Sequence, residues 1–242
     1  MRPAVSATPA LIVAIDGPSG TGKSSTSRAV AARLGLRYLD TGAQYRAATW
    51  WMLRNGIDTA DPAAVAAAAG KPEIVSGTDP AHPAITVDGA DVSGPIRGPE
   101  VTGAVSAVSA VPEIRARITE LQRSVARSAV PGIVVEGRDI GTTVLPDADL
   151  KIFLTASPEA RAARRNGELA GTTGAPTLEA TREALARRDA ADSGRAASPL
   201  AKAADAVEID TSELTLEQVI AHIITLVEQR RDDARRRGAV AG

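Results

Sequence analysis

Cysteine is absent from the 242-residue chain, which excludes disulfides and thiolate chemistry and suits a reducing cytosol. Excess charge is missing too. With 28 basic and 29 acidic residues the formal net charge is −1, so no overall basic field draws in nucleic acid. No apolar run approaches the roughly 18 residues that would suggest a membrane span. The start "MRPAVSATPALIVAID" does not read as a signal peptide, because its apolar run "LIVAI" is short and leads directly into Asp16. The two histidines, His82 and His222, lie far from every motif and offer no metal-ligand spacing. No internal repeat is visible. These absences predict a cytoplasmic protein with neither a membrane nor a nucleic-acid partner. Lysine is scarce as well: Lys23, Lys71, Lys151 and Lys202 are the only four, so nearly all cations are arginines, whose rigid forks suit bidentate anion contacts.

What is present is an alternation of short apolar strands and longer amphipathic helices, the pattern of a parallel sheet covered by helices. Strands are expected at 11–16, 37–40, 132–137, 150–156 and 206–210. Helices are expected at about 22–34, 42–55, 112–129, 157–169, 177–192 and 215–231, with Ser157-Pro158 and Thr177 placed to begin two of them. Residues 71–98 break the alternation. They are rich in Gly, Pro and Asp, and Asp88-Gly89 is a hairpin signal, so the segment reads as a small antiparallel insert. "DPAAVAAAAG" before it is helix-prone. The tail 231–242 carries mixed charge with no apolar face and is expected to fray. The length suits one α/β domain, 1–242, with its core at about 11–228.

Between the first strand and first helix stands Gly17, Pro18, Ser19, Gly20, Thr21, Gly22, Lys23, Ser24, followed by Ser25. This matches G-x-x-x-x-G-K-[ST] in full. Glycines let backbone N–H groups turn toward phosphate oxygens, and the helix start adds its positive end. Lys23 can reach the β- and γ-phosphates, and the Ser24 hydroxyl can coordinate Mg²⁺. The loop implies ATP or GTP with Mg²⁺. A GTPase would carry an N-K-x-D signature, and no Asn-Lys pair exists in the chain. A motor ATPase would be larger, with a clearly acidic end to a second buried strand, where only Glu136 qualifies here. A small kinase remains.

Three further clusters could hold a second anion. "DTGAQYR" (40–46) brings Arg46 one turn into a helix; "EGRDIG" (136–141) carries Arg138 and Asp139 after a strand; "RRDAADSGR" places Arg188, Asp192 and Arg195 at i, i+4 and i+7. Each has a plainer reading: a solvated Arg46, a surface turn at Arg138-Asp139, and a simple Arg188–Asp192 ion pair. Arg161, Arg164 and Arg165 share a helix face that could equally be solvated. Trp50 and Trp51 read as packing residues.

The blocks "IDGPSGTGKSS", "LDTGAQYR", "DVSGPIR", "VSAVSAVPEIR", "VEGRDIGTTVLPDADLKIFL", "RDAADSGRAASPL" and "AVEIDTS" resemble, in order, the bacterial cytidylate kinase family of nucleoside monophosphate kinases. The resemblance spans about residues 11–228. It implies a P-loop kinase fold with a parallel five-stranded sheet, a monophosphate-binding region at about 41–115, a short lid at about 161–178, and a monomer. It also implies γ-phosphoryl transfer from MgATP to CMP or dCMP. On this reading Lys23, Arg138 and Arg188 are catalytic, and Arg46, Arg138 and Arg188 hold the acceptor phosphate. Ser106, Arg115 and Asp139 contact cytosine, Asp192 the ribose, and Thr41 lies near the acceptor. Ser106 and Arg115 rest on the resemblance alone. Glu136 stands where the family also shows Asp, which leaves its role open. Rival readings are another acceptor, such as UMP, AMP or a non-nucleotide metabolite, and a nucleotide-binding module without catalysis.

Overall fold

The computed structural model describes residues 10–169 and 176–240. The chain opens with β1 (Leu11–Asp16), α1 (Lys23–Leu34), β2 (Arg37–Asp40) and α2 (Thr41–Arg54). Then come α3 (Pro62–Ala68), β3 (Ile74–Ser76), β4 (Ile85–Val87), β5 (Ala90–Asp91), a 3-10 turn (Pro95–Arg97), α4 (Pro99–Val108) and α5 (Pro112–Ser128). The second half contains β6 (Gly132–Glu136), a π-helical turn (Ile140–Val144), β7 (Leu150–Thr155), α6 (Pro158–Leu169), α7 (Leu178–Ser193), β8 (Val207–Asp210) and α8 (Leu216–Val240).

The five expected strands form one parallel sheet in the order β2-β6-β1-β7-β8. Alternate residues of β1 serve two apolar layers, as the period of two requires. Val13 and Ile15 pack with Val30 of α1 and Ile220, Ile223 and Val227 of α8; Ala14 faces the opposite layer with Ile133, Val135, Ile140 and Ala126 of α5. Burial on both faces explains why β1 and β6 read as continuous apolar runs.

The 71–98 segment is the antiparallel sheet β3-β4-β5. Asp88 and Gly89 both have positive φ, 50° and 80°, as a two-residue type I′ hairpin turn requires. This sheet is no linker. Ile74, Ile85 and Val87 share a third apolar core with Met52, Val65, Ile96 and Ile114. Trp50 and Trp51 pack against that core, and the Trp51 indole donates to Asp88 at 2.6 Å. The helix starts behave as expected, with Ser157 Oγ accepting from Ala160 N and Thr177 Oγ1 from Ala180 N.

Two expectations need revision. α8 continues to Val240 and takes in most of the stretch expected to fray, since Ala and Arg favour helix and Arg235 pairs with Asp232 one turn away. α7 stops at Ser193, so Arg195 lies past its end rather than on its face. Of the lid expected at about 161–178, residues 170–175 lie outside the described residues.

Candidate active site

The C-terminal ends of β1 and β6 open into a cavity of about 750 Å³, where open α/β sheets place their ligands. The loop 17–22 forms one wall. Gly17 has φ of +144°, and a Cβ there would lie 2.2 Å from the Leu154 carbonyl oxygen, so a side chain has no room. Lys23 starts α1 and arches back, its Nζ donating to the Pro18 carbonyl at 2.6 Å; the Thr21 hydroxyl donates to the same oxygen at 3.1 Å. Burial, then the neighbouring Arg138, holds the Lys23 ammonium pKa well below its usual value. Ser19, Gly20, Gly22, Ser24 and Ser25 border the cavity with Lys23; Gly17, Pro18 and Thr21 shape the loop behind them.

Beneath the loop, both oxygens of Glu136 accept hydrogen bonds: Oε2 from the Ser24 hydroxyl at 3.0 Å and Oε1 from the Tyr38 hydroxyl. The register of β2 against β6, Asp40 opposite Glu136, brings Tyr38 to this carboxylate. Burial, with Asp40 nearby, pushes Glu136 up to about 7. The Ser24 hydroxyl beside a carboxylate is an oxygen-only donor set of the kind Mg²⁺ accepts, so these residues fit that ion.

The same cavity gathers every residue expected to meet the acceptor. Thr41, Arg46, Ser106 and Arg115 border the same cavity as Arg138, Asp139, Arg188 and Asp192. Arg46 is not simply solvated: its guanidinium donates to the Ile96 carbonyl at 3.2 Å and Thr102 Oγ1 at 3.0 Å. Arg138-Asp139 is not a surface turn. Asp139 Oδ2 accepts from Arg115 at 2.6 Å, with both side chains buried, and Arg138 Nε donates to Asp192 at 2.9 Å. The simple Arg188–Asp192 pair does not form; Asp192 accepts instead from Arg138 and Arg195. Arg188 is left among cations, and burial followed by Arg138 and Arg46 pushes it down to about 10. Burial lowers Arg46 and Arg195 too. These half-buried arginines, gathered on one cavity, are chemically suited to an anion. The Thr41 hydroxyl donates to the Glu136 carbonyl at 2.7 Å, and the Ser106 carbonyl accepts from Ser109.

The Cytidylate kinase family model matches residues 13–229. The chain belongs to the cytidylate kinase family. A relative named Cytidylate kinase from Streptomyces avermitilis is 75% identical over 223 residues, covering 92% of this chain and 95% of that one. A Nocardia farcinica protein of the same name is 56% identical over 220 residues, covering 91% and 94%. Among solved structures, an uncharacterized protein from Eubacterium ventriosum shares the fold at a TM-score of 0.50 and 13% identity, over 90% of this chain and 98% of that one.

Within this cytidylate kinase fold the three arginines of α6 separate. Arg165 borders the cavity and pairs with Glu168 at 2.7 Å. Arg164 is tied to Thr211, and Arg161 is held by Asp189 and the Ser19 carbonyl. Sequence reasoning missed Tyr38, Asp189 and Asp16. Asp16 had a signal, a carboxylate ending an apolar strand. It is buried and pushed up to about 6, chiefly by burial. Tyr38 and Asp189 had none.

Glu136 gives a pH prediction. Its folded-state pKa lies above its ordinary 4.5, so its contribution to stability is present below about 4.5 and lost as pH rises through about 7. Glu136→Gln is always neutral. The variant's melting temperature relative to the wild type is therefore expected to rise between pH 5 and pH 7.5. A gap that stays constant or narrows would mean Glu136 ionises without penalty.

Proposed function

We propose that this protein transfers the γ-phosphoryl group of ATP to CMP or dCMP, giving CDP or dCDP. The observation that carries the reading is the buried Arg115–Asp139 pair at the edge of a cavity that Arg46, Arg138 and Arg188 also line. The loop amides and Lys23 hold and neutralise the donor phosphates. Arg46, Arg138 and Arg188 hold the acceptor phosphate, and the latter two also stabilise charge on the transferring group. Mg²⁺, held through Ser24 with Glu136 behind it, would screen charge between the phosphates. The acceptor is already anionic, so no strong base is required.

Asp139 faces the base. Oδ2 is taken by Arg115, and Oδ1 has no partner among the described residues, leaving it to accept from the cytosine amino group. Uracil would set a carbonyl against this carboxylate, a mismatch that a buried site rejects strongly. Ser106 and Arg115 complete the base contacts, Asp192 meets the ribose through the oxygens that Arg138 and Arg195 share, and Thr41 lies near the acceptor. Residues 41–115 form the acceptor region and 161–178 the lid, in a monomer working in the cytoplasm.

The test is ADP release by purified protein from MgATP with CMP, dCMP, UMP, AMP or no acceptor. CMP and dCMP are expected to exceed UMP by at least about tenfold in kcat/KM. Equal use of UMP would keep the kinase and discard the cytosine pocket. ADP release that needs no acceptor would overturn the reading.

A further inference from the structure

Asp16 and Arg123 touch no part of the proposed substrate path, yet both grip the turn that carries Asp139. Asp16 ends β1, immediately before Gly17 opens the phosphate loop. Its Oδ1 accepts from Ile140 N at 2.9 Å and its Oδ2 from Gly141 N at 2.8 Å, both in the buried interior. These are the first two amides after Asp139. One residue earlier in β1, the Ile15 carbonyl accepts from Gly137 N at 3.0 Å. The backbone on both sides of Arg138-Asp139 is thus tied to the last two residues of β1.

The far end of the turn is held from α5. Arg123 Nε donates to the Val144 carbonyl and Arg123 Nη2 to the Thr143 carbonyl, each at 2.9 Å. The amides of these same two residues donate back to the Asp139 carbonyl, at 2.9 Å for Thr143 and 3.1 Å for Val144. A carboxylate meets the N–H end of the turn and a guanidinium meets its carbonyl end, which is the favourable placement of both charges. The turn has little room to shift. A Cβ on Gly141 would lie 3.2 Å from the Lys151 side chain and 3.5 Å from Asp16 Oδ2.

A buried carboxylate with two short bonds to consecutive amides is an expensive way to close a turn that Asn or Ser could also close. What it adds is a charge-assisted clamp at the point where donor loop and acceptor turn leave the sheet. We propose that Asp16 and Arg123 are positioning residues for acceptor recognition, fixing the turn that presents Asp139 to the base and so sustaining the preference for an amino-bearing pyrimidine. The inference rests on the reading of Asp139 given above.

The test compares the wild type with Asp16→Asn, Arg123→Gln, Arg123→Lys and Asp139→Asn. For each, kcat and KM are measured for CMP and UMP at saturating MgATP, together with KM for ATP and the melting temperature. Asn offers one acceptor where Asp offers two, and Gln cannot span both carbonyls. Asp16→Asn and Arg123→Gln are each expected to lower the CMP-to-UMP ratio of kcat/KM by about tenfold, mostly through a higher KM for CMP. KM for ATP should stay within about twofold, since the phosphate loop keeps its own bonds, and Arg123→Lys should restore part of the ratio. Variants that melt lower but keep the wild-type ratio would overturn the proposal and leave a purely structural clamp. If Asp16→Asn does not fold, the ratio in Arg123→Gln decides alone. If the wild type shows no preference, or Asp139→Asn leaves it unchanged, the reading of Asp139 is what fails, and the inference falls with it.

Discussion

Lys23→Met is expected to lower kcat by about a thousandfold and to raise the melting temperature of the unliganded protein. The two effects have one origin. Lys23 is buried with Arg138 and Arg188 close by, and its ammonium is held well below its ordinary pKa by burial and by those like charges. Methionine fills a similar volume without desolvating a charge, so the folded state loses a repulsive centre. In the transition state that same charge faces the phosphoryl group beside the donor loop, and Arg138, tied to Asp192 and Ser19 at 2.9 and 2.6 Å, does not move into its place. Single-turnover ADP formation and a melting curve on one preparation check both halves. A variant that loses activity while melting lower would point to collapse of the loop; one that keeps activity would remove Lys23 from the chemistry.

Much of this architecture was legible because local and global signals agree. The five sheet strands lie within a residue or so of their expected ends, since apolar runs buried on both faces are bounded by Gly17, Asp40 and Gly137. Asp88-Gly89 announced the hairpin because few residue pairs tolerate two successive positive φ angles. The site was legible in part. The phosphate loop is contiguous, so its chemistry can be read from its spelling. Arg115 was not readable from its neighbours, because its partner Asp139 is 24 residues away and reaches it only through the packing of α5 on β6. Tyr38 meets Glu136 across 98 residues by strand register, and Asp189 reaches the Ser19 amide across 170. Pairings of that kind need the tertiary fold. The i, i+4 spacing of Arg188 and Asp192 was in fact misleading. Helical neighbours pair only when nothing better is near, and here Arg138 and Arg195 are better placed.

Asp139→Asn is expected to change the CMP-to-UMP ratio of kcat/KM by about a hundredfold or more, partly by gaining UMP rather than only by losing CMP. What decides this is how the new amide must sit. Arg115 is buried, also donates to the Ser109 carbonyl at 3.2 Å, and lies over the Tyr45 ring at 5.4 Å, so it stays in place. It donates toward position 139 at 2.6 Å and demands an acceptor there. The Asn oxygen therefore turns to Arg115, and its NH₂ turns to the cavity. That NH₂ would oppose the cytosine amino group, donor against donor, and would suit the uracil carbonyl. The same change leaves Arg115 a buried cation without its counter-charge, at a cost of about 3–5 kcal/mol in stability. Kinetics must therefore be measured below the variant's lowered melting temperature. A fall in activity that is equal for CMP and UMP would trace to that instability and remove Asp139 from base reading. A crossover toward UMP would mean that one oxygen atom of this side chain decides which pyrimidine receives the phosphate.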